Sequence, residues 1–206
     1  MKKLIPLIVT SLLIASGAEA GVAVNLMGGL NFNKNSVTPA SATNTVTAKS
    51  AVSYGATIEF GLAPMFAIET GILSIGRKNK VDVAGAGEAT ISSRGIEIPV
   101  MVRFTLLPVL DFGVGGYYGK GNSTFTVSGS TISGYADGEH TVDQTQTDLT
   151  DYGARASVRA KLPIAPMAKI LFDGSYTMGL KDVDKTAATT EKTREYALMA
   201  GVSLGF

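Results

Sequence analysis

His140 is the one histidine among 206 residues, and it is the natural first candidate for acid–base chemistry. It lies between Asp137 and Asp143 in a stretch rich in Ser, Thr and Gly. A general base needs a positioned nucleophile within hydrogen-bond reach. This stretch offers many hydroxyls and singles out none, so His140 reads as a solvated loop residue and no catalytic residue is expected. Cysteine is absent, which excludes a disulfide framework and a thiolate metal site. Asp182 and Asp184 fall short of the about six to eight oxygens that Ca2+ takes, so no metal or cofactor is expected. Gly113-Val-Gly115-Gly116-Tyr-Tyr-Gly119-Lys120 has neither dinucleotide-binding nor P-loop spacing. The glycosylation sequon Asn122-Ser123-Thr124 carries little weight. Eighteen Lys and Arg against 17 Asp and Glu give a net charge of +1, without the basic bias of a nucleic-acid-binding surface.

The more telling charges are those at alternate positions of otherwise uncharged runs: Glu59, Glu69, Glu97, Arg103, Asp111, Arg155, Arg159, Lys161, Lys169, Asp173 and Glu195. Their spacing points to the elements that must carry them. Apolar residues fill the intervening positions, and a period of two is the signature of a strand.

Eight such strands can be read, each with one apolar face. The first carries Val22, Val24, Leu26, Leu30 and Phe32; the second Val52, Tyr54, Ala56, Ile58, Phe60 and Leu62; the third Phe66, Ile68, Thr70 and Ile72. The fourth carries Ile96, Ile98, Val100, Val102, Phe104 and Leu106, and the fifth Leu110, Phe112, Val114 and Tyr118. The sixth has Tyr152, Ala154, Ala156, Val158, Ala160 and Leu162, the seventh Ala168, Ile170, Phe172, Tyr176 and Met178, and the last Tyr196, Leu198, Ala200, Val202, Leu204 and Phe206. An even number of antiparallel strands closes most simply into a barrel, which leaves no exposed edge.

Connections alternate in length. Ala63 to Met65, Leu107 to Val109 and Pro163 to Pro166 are short and contain Pro; Asn33 to Lys49, Arg77 to Ser92, Gly121 to Thr150 and Lys181 to Thr193 are long and polar. Short turns on one rim and long loops on the other are the pattern of an outer-membrane barrel.

Two features orient the faces. A soluble barrel would cover its exterior with charge, yet the polar face here is crowded with Gly55, Gly61, Gly71, Gly113, Gly115, Gly119, Gly153, Gly179, Gly201 and Gly205, which suits a narrow interior. Tyr54 and Tyr118 lie ten residues from the Pro of their short turns, and Tyr196 lies ten from Phe206. At ~3.4 Å per residue and a tilt of about 40°, that run rises roughly 26 Å, close to the ~25 Å apolar band of such barrels. With Tyr152 and Tyr176 these tyrosines form an outer aromatic girdle; Phe60, Phe66, Phe104, Phe112 and Phe206 mark the inner one.

Lys2 and Lys3, the apolar run from Leu4 to Ile14 and the small-x-small Ala18-Glu19-Ala20 read as a secretory signal peptide, residues 1–20, with the barrel domain at 21–206. The run is shorter than the ~20 apolar residues a spanning helix needs. Removing Lys2, Lys3 and Glu19 leaves equal numbers of basic and acidic residues.

The chain resembles the small bacterial outer-membrane β-barrel proteins, of the OmpA/OmpX-like and PorT-like kind. The residues that carry the likeness are Ile96-Glu-Ile-Pro99-Val100, Gly115-Gly-Tyr-Tyr118-Gly119, Tyr176-Thr-Met-Gly179-Leu180 and the closing Ala200-Gly-Val-Ser-Leu-Gly-Phe206. The resemblance implies an all-β, eight-stranded antiparallel up-and-down transmembrane barrel in the bacterial outer membrane, exported and surrounded by outer-membrane lipid. It implies that Tyr196, Leu198, Val202, Leu204 and Phe206 form the C-terminal signal read by the barrel-assembly machinery. No peptidoglycan-binding domain, as in the larger OmpA-type proteins, is expected after Phe206.

Register estimated from the short turns places Glu59 opposite Glu69, with Arg103, Arg159 and Lys169 in the same layer, and pairs Arg155 with Asp173 across the third turn. Such a cluster is expected to fill the lumen structurally, because an eight-stranded interior is just wide enough for side chains. A selectivity ring in a narrow porin-like pore for ions or small solutes is the alternative, and a lipid A-modifying enzyme built on His140 is the second. The expected protein is non-enzymatic and meets an extracellular partner at the cell surface through four loops, Gly121 to Thr150 foremost, since loops on rigid scaffolds carry recognition.

Overall fold

The computed structural model describes residues 21–33, 36–38, 44–85, 87–132, 136–141, 149–182 and 190–205. The expected signal peptide, Phe206, Asp143 and Asp184 lie outside the described residues. In chain order the strands are β1 (Val22–Asn33), β2 (Ser36–Thr38), β3 (Asn44–Ala63), β4 (Phe66–Val83), β5 (Gly87–Leu107), β6 (Leu110–Ser128), β7 (Gly138–Thr141), β8 (Thr150–Ala165), β9 (Ala168–Gly179), β10 (Thr190–Lys192) and β11 (Arg194–Gly205). Eight of them are long. Each pairs antiparallel with its neighbours, and β1 pairs with β11 while β5 pairs with β6, so the sheet closes on itself. The short β2 and β10 pair with each other, and β7 extends the edge of β6.

The stagger of the ring follows from its register. Directly opposed residues lead from Ala23 through Glu59, Glu69, Met101, Gly115, Arg155, Thr177 and Glu195 back into β1 at Asn33. One circuit therefore climbs ten residues (33 − 23). An eight-stranded barrel with its strands tilted about 35–45° has an interior just wide enough for side chains.

The apolar faces read from the sequence point outward. Val52, Ile72 and Leu198 are 59%, 60% and 65% exposed, and Val100, Tyr118 and Phe172 are exposed beside them. A soluble protein would leave no such continuous apolar exterior; here the hydrocarbon of the membrane takes the place of a core. The tyrosines expected in the outer girdle face outward, and Tyr176 packs on Tyr196 with ring centroids 4.8 Å apart. At the opposite rim Phe66 meets Phe104 edge-on at 5.1 Å.

The three short turns share one construction. Each is X-Pro-Met/Val-Y, centred on Pro64-Met65, Pro108-Val109 and Pro166-Met167, and each follows a register irregularity between Gly61 and Ala63, Thr105 and Leu107, or Pro163 and Ala165. Pro suits the first central position of a tight turn. Among the described residues no non-glycine residue has a positive φ, so these are not the primed turns whose twist matches a hairpin, and the adjoining bulge takes up the mismatch. The second turn residue hands its carbonyl to the next hairpin: Met65 O accepts from Thr105 N at 3.0 Å, Val109 O from Lys161 N at 2.9 Å and Met167 O from Gly205 N at 2.9 Å.

Three expectations are corrected. The third turn is centred on Pro166-Met167, two residues beyond the middle of Pro163 to Pro166, so Arg159 rather than Arg155 opposes Asp173, and Arg155 opposes Thr177. Pro163 sits in the strand beside the bulge, where the ladder tolerates a missing N–H. The stretch from Arg77 to Ser92 is hairpin rather than loop: β4 and β5 run on, paired, to a turn at Ala84-Gly85. Much of Asn33 to Lys49 and Gly121 to Thr150 is likewise strand, including the extension around Phe125 and Val127 that their alternation suggested. Finally, the luminal glycines do more than save space. A Cβ at Gly29 would strike the carbonyl oxygen of Leu198, and one at Gly201 that of Leu26; Gly55, Gly71, Gly115 and Gly153 meet Ile72, Ala56, Val100 and Met178 in the same way. The missing side chains let neighbouring strands coil sharply against each other, which closing so narrow a barrel requires.

Candidate functional site

The lumen is filled in layers. Nearest the short turns, three cations and four carboxylates form one connected network. Arg103 grips Glu69 with Nε at 2.7 Å and Nη2 at 3.0 Å, and its Nη2 also lies 3.3 Å from Asp173. Arg159 donates from Nε to Asp173 at 2.9 Å and from Nη2 to Glu69 at 3.2 Å, and its Nη1 is shared between Glu69 and, at 3.5 Å, Glu59. Lys161 lies 2.7 Å from Glu59 and 2.6 Å from Asp111, whose other oxygen accepts from Thr105 Oγ1 at 2.9 Å. Arg103 and Arg159 are 2% and 1% exposed. Two bidentate guanidinium groups on one carboxylate fix geometry as well as charge.

Above this layer, Met27, Leu73, Ile75, Leu171, Ala197 and Met199 make an apolar cluster inside the barrel. Met27 and Leu73 stand directly opposite Gly201 and Gly55, so large side chains alternate with none.

A second polar layer lies toward the long hairpins. Arg155 pairs with Glu97, and its Nη2 donates to Ser175 Oγ at 2.9 Å. Arg77 pairs with Glu195, which also accepts from Asn31 Nδ2 at 3.2 Å. Tyr117 donates its hydroxyl to Asp151 at 2.7 Å. Opposite charges buried in this way satisfy one another, while removing a single partner strands the other.

Of the residues expected to share the lumen, Glu59, Glu69, Arg103, Asp111, Arg159 and Asp173 come together, and Glu59 opposes Glu69 as the turn predicts. Glu97 and Arg155 belong to the outer layer. Lys169 does not join: it is exposed at the turn-side rim opposite Pro163, and Lys161 takes its place because the shifted turn moves Lys169 outward. Arg77, Asp151 and Tyr117 are additional members. The first two fell at ends of strands read too short; Tyr117 was legible, since it alternates with the outward Tyr118 and must face in. Tyr196, Leu198, Val202 and Leu204 lie exposed on the outer face of β11. His140 sits on β7, with Nε2 2.8 Å from Ala136 O and its ring stacked on Phe125 at 5.5 Å. Among the described residues no group of three His, Cys, Asp or Glu could hold a metal ion.

The matching family model is "outer membrane protein beta-barrel domain", over residues 15–185. No curated protein matches the sequence. Among solved structures, the outer membrane protein OprG from Pseudomonas aeruginosa superposes with a TM-score of 0.56 at 14% identity, covering 93% of this chain and 98% of OprG. The outer membrane protease OmpT from Escherichia coli gives 0.57 at 12% identity, with 90% and 97% covered. At such identities these likenesses concern the fold alone. With the outward apolar faces, the closed ring and the match over most of its length, the chain belongs to the outer membrane protein beta-barrel domain family and is an eight-stranded barrel of the bacterial outer membrane.

Proposed function

We propose that this is a non-enzymatic, non-conducting barrel whose working surface is extracellular. The observation that carries the reading is the lower luminal layer, where Arg103 and Arg159 cross between strands to bind carboxylates from β3, β4 and β9. Side chains of that length fill an eight-stranded lumen. The hairpins β3–β4 and β5–β6 continue well past the tyrosine ring, offering a paired, rigid surface for a partner. Purified protein in planar bilayers is expected to show no stable open level; a reproducible single-channel conductance would replace this reading with that of a narrow pore.

The ring of His140 is occupied on one face by Phe125 and at Nε2 by Ala136, which supports a structural role. Mass spectra of lipid A from cells expressing H140A and the native protein are expected to be identical. The exposed side chains of Tyr196, Leu198, Val202 and Leu204 support β11 as the strand read by the assembly machinery, and residues 1–20 as the export signal complete that route.

A further inference from the structure

The outward surface just beyond the tyrosine ring carries a group of three cations, Lys49, Lys78 and Arg94, that share no ion pair with a carboxylate among the described residues. Between Lys49 and Tyr54 the β3–β4 ladder breaks, and its register shifts by one residue. Lys49 is thereby set directly opposite Lys78, two like charges on one face. Such a pair is destabilising unless something negative sits against it. Lys78 in turn opposes Ser92, placing it diagonal to Arg94, which opposes Gly76. Without a side chain at Gly76 the Arg94 guanidinium can cross β4: it donates to Ser74 Oγ at 2.9 Å and to Val52 O at 3.3 Å, and lies 5.1 Å from the Tyr54 ring centroid. These partners are neutral. Among the described residues no carboxylate pairs with Lys49, Lys78 or Arg94.

A cleft of about 590 Å³ opens at the same break. Ser50, Lys78, Ser92, Arg94, Asn122 and Thr124 line part of it; Arg77 on its wall is already neutralised by Glu195, and Glu139 is the lining carboxylate. The volume suits a small-molecule headgroup, and the lining offers cations for phosphate and hydroxyls for sugar. Directly below, Val52, Ile72 and Ile96 are exposed and apolar, and Tyr54 belongs to the ring that marks the membrane interface.

We propose that the outer face of β3–β4–β5 at this break binds a phosphorylated glycolipid of the outer leaflet, its phosphate held by Lys49, Lys78 and Arg94 and its acyl chains laid against Val52, Ile72 and Ile96. The lipid-borne source is favoured over a free phosphosugar because the cations face outward at the interface with an apolar surface beneath them. Headgroup cations on a barrel exterior use the same attraction that draws basic segments to anionic membrane surfaces.

The test is native mass spectrometry of the full-length protein, with wild type compared with K78Q/R94Q and, as a control for loss of positive charge at the opposite rim, K169Q. The probes are phosphatidylcholine nanodiscs containing bis-phosphorylated lipid A or its dephosphorylated form, with glucose 1-phosphate as a soluble competitor. Wild type and K169Q are expected to retain the bis-phosphorylated lipid at least tenfold over the dephosphorylated one, with K78Q/R94Q losing most of that preference while keeping the heat-dependent gel shift of a folded barrel. Equal retention by wild type and K78Q/R94Q, or no preference for the phosphorylated lipid, overturns the proposal. Displacement of the lipid by millimolar glucose 1-phosphate overturns its lipid-borne form.

Discussion

The strands β3 to β6 pass through two surroundings, and their two halves differ in all but the backbone. Below the tyrosine ring the faces are sorted by parity: Val100 and Val102 face outward while Met101 and Arg103 are buried. Beyond it the same ladders continue, but the outward face turns polar: Lys80, Glu88, Thr126 and Ser128 stand where apolar residues stood, while Ala89 and Val127 stay buried on the other face, and the Lys80–Glu88 ion pair is open to solvent whereas Arg159–Glu69 is buried. Hydrogen bonding along the backbone makes both halves strand. The medium outside writes the pattern in the sequence, with hydrocarbon demanding apolar residues on the outward face and water admitting polar ones there.

Substitutions matched between the two halves sharpen that contrast. The largest effect is expected from Arg159→Ala, which leaves Glu69, Asp173 and Glu59 short of a cation. Removing one partner of a buried pair costs about 3–5 kcal/mol, read as the urea midpoint of refolded protein, whereas Lys80→Ala is expected to leave that midpoint in place. Next, Val100→Arg puts a charge on the lipid face near mid-membrane at about 2–4 kcal/mol, while Thr126→Arg, in the extension beyond the tyrosine ring, is expected to be neutral in the same measurement. A smaller effect, about 1–3 kcal/mol, is expected of Gly201→Ala, whose Cβ would meet the Leu26 carbonyl and force the strands apart. Gly129→Ala, where φ is +61° and nothing lies within 4 Å, is expected to cost only the about 1 kcal/mol of a left-handed backbone. The most subtle contrast is dynamic: amides of 121–128 should exchange with deuterium faster than those of 111–118, because paired strands flanked by water open more easily than strands flanked by lipid and packed side chains. Equal protection in both halves would show that the ladder alone, without the membrane, sets local stability.

Much of the barrel was legible because its solvent is unusual. Val52 through Leu62 alternates so cleanly that strand, face and height can all be taken from it, and Glu59 opposite Glu69 follows from Pro64. Legibility ended where one residue of slip mattered. Pro163 and Pro166 are equally good turn formers in isolation, and only the bulge at Ile164 decides that Pro166 heads the turn. That choice moves Asp173 from Arg155 to Arg159. Arg77 and Asp151 were hidden for the opposite reason: beyond the membrane the outward face turns polar, so the contrast between faces that marks a strand fades before the strand ends.

By itself the sequence determined the eight strands, the face each turns to lipid, the rim that holds the short turns and the residue types that fill the lumen, since all of these follow from the side-chain period of two and the length of the apolar band. The tertiary structure alone decided which charges meet. A stagger of ten residues around the ring carries each strand past its neighbour by an amount no local pattern records. Arg159 therefore reaches Glu69 from β8 to β4, and the break that faces Lys49 with Lys78 becomes visible only when the two strands are laid side by side.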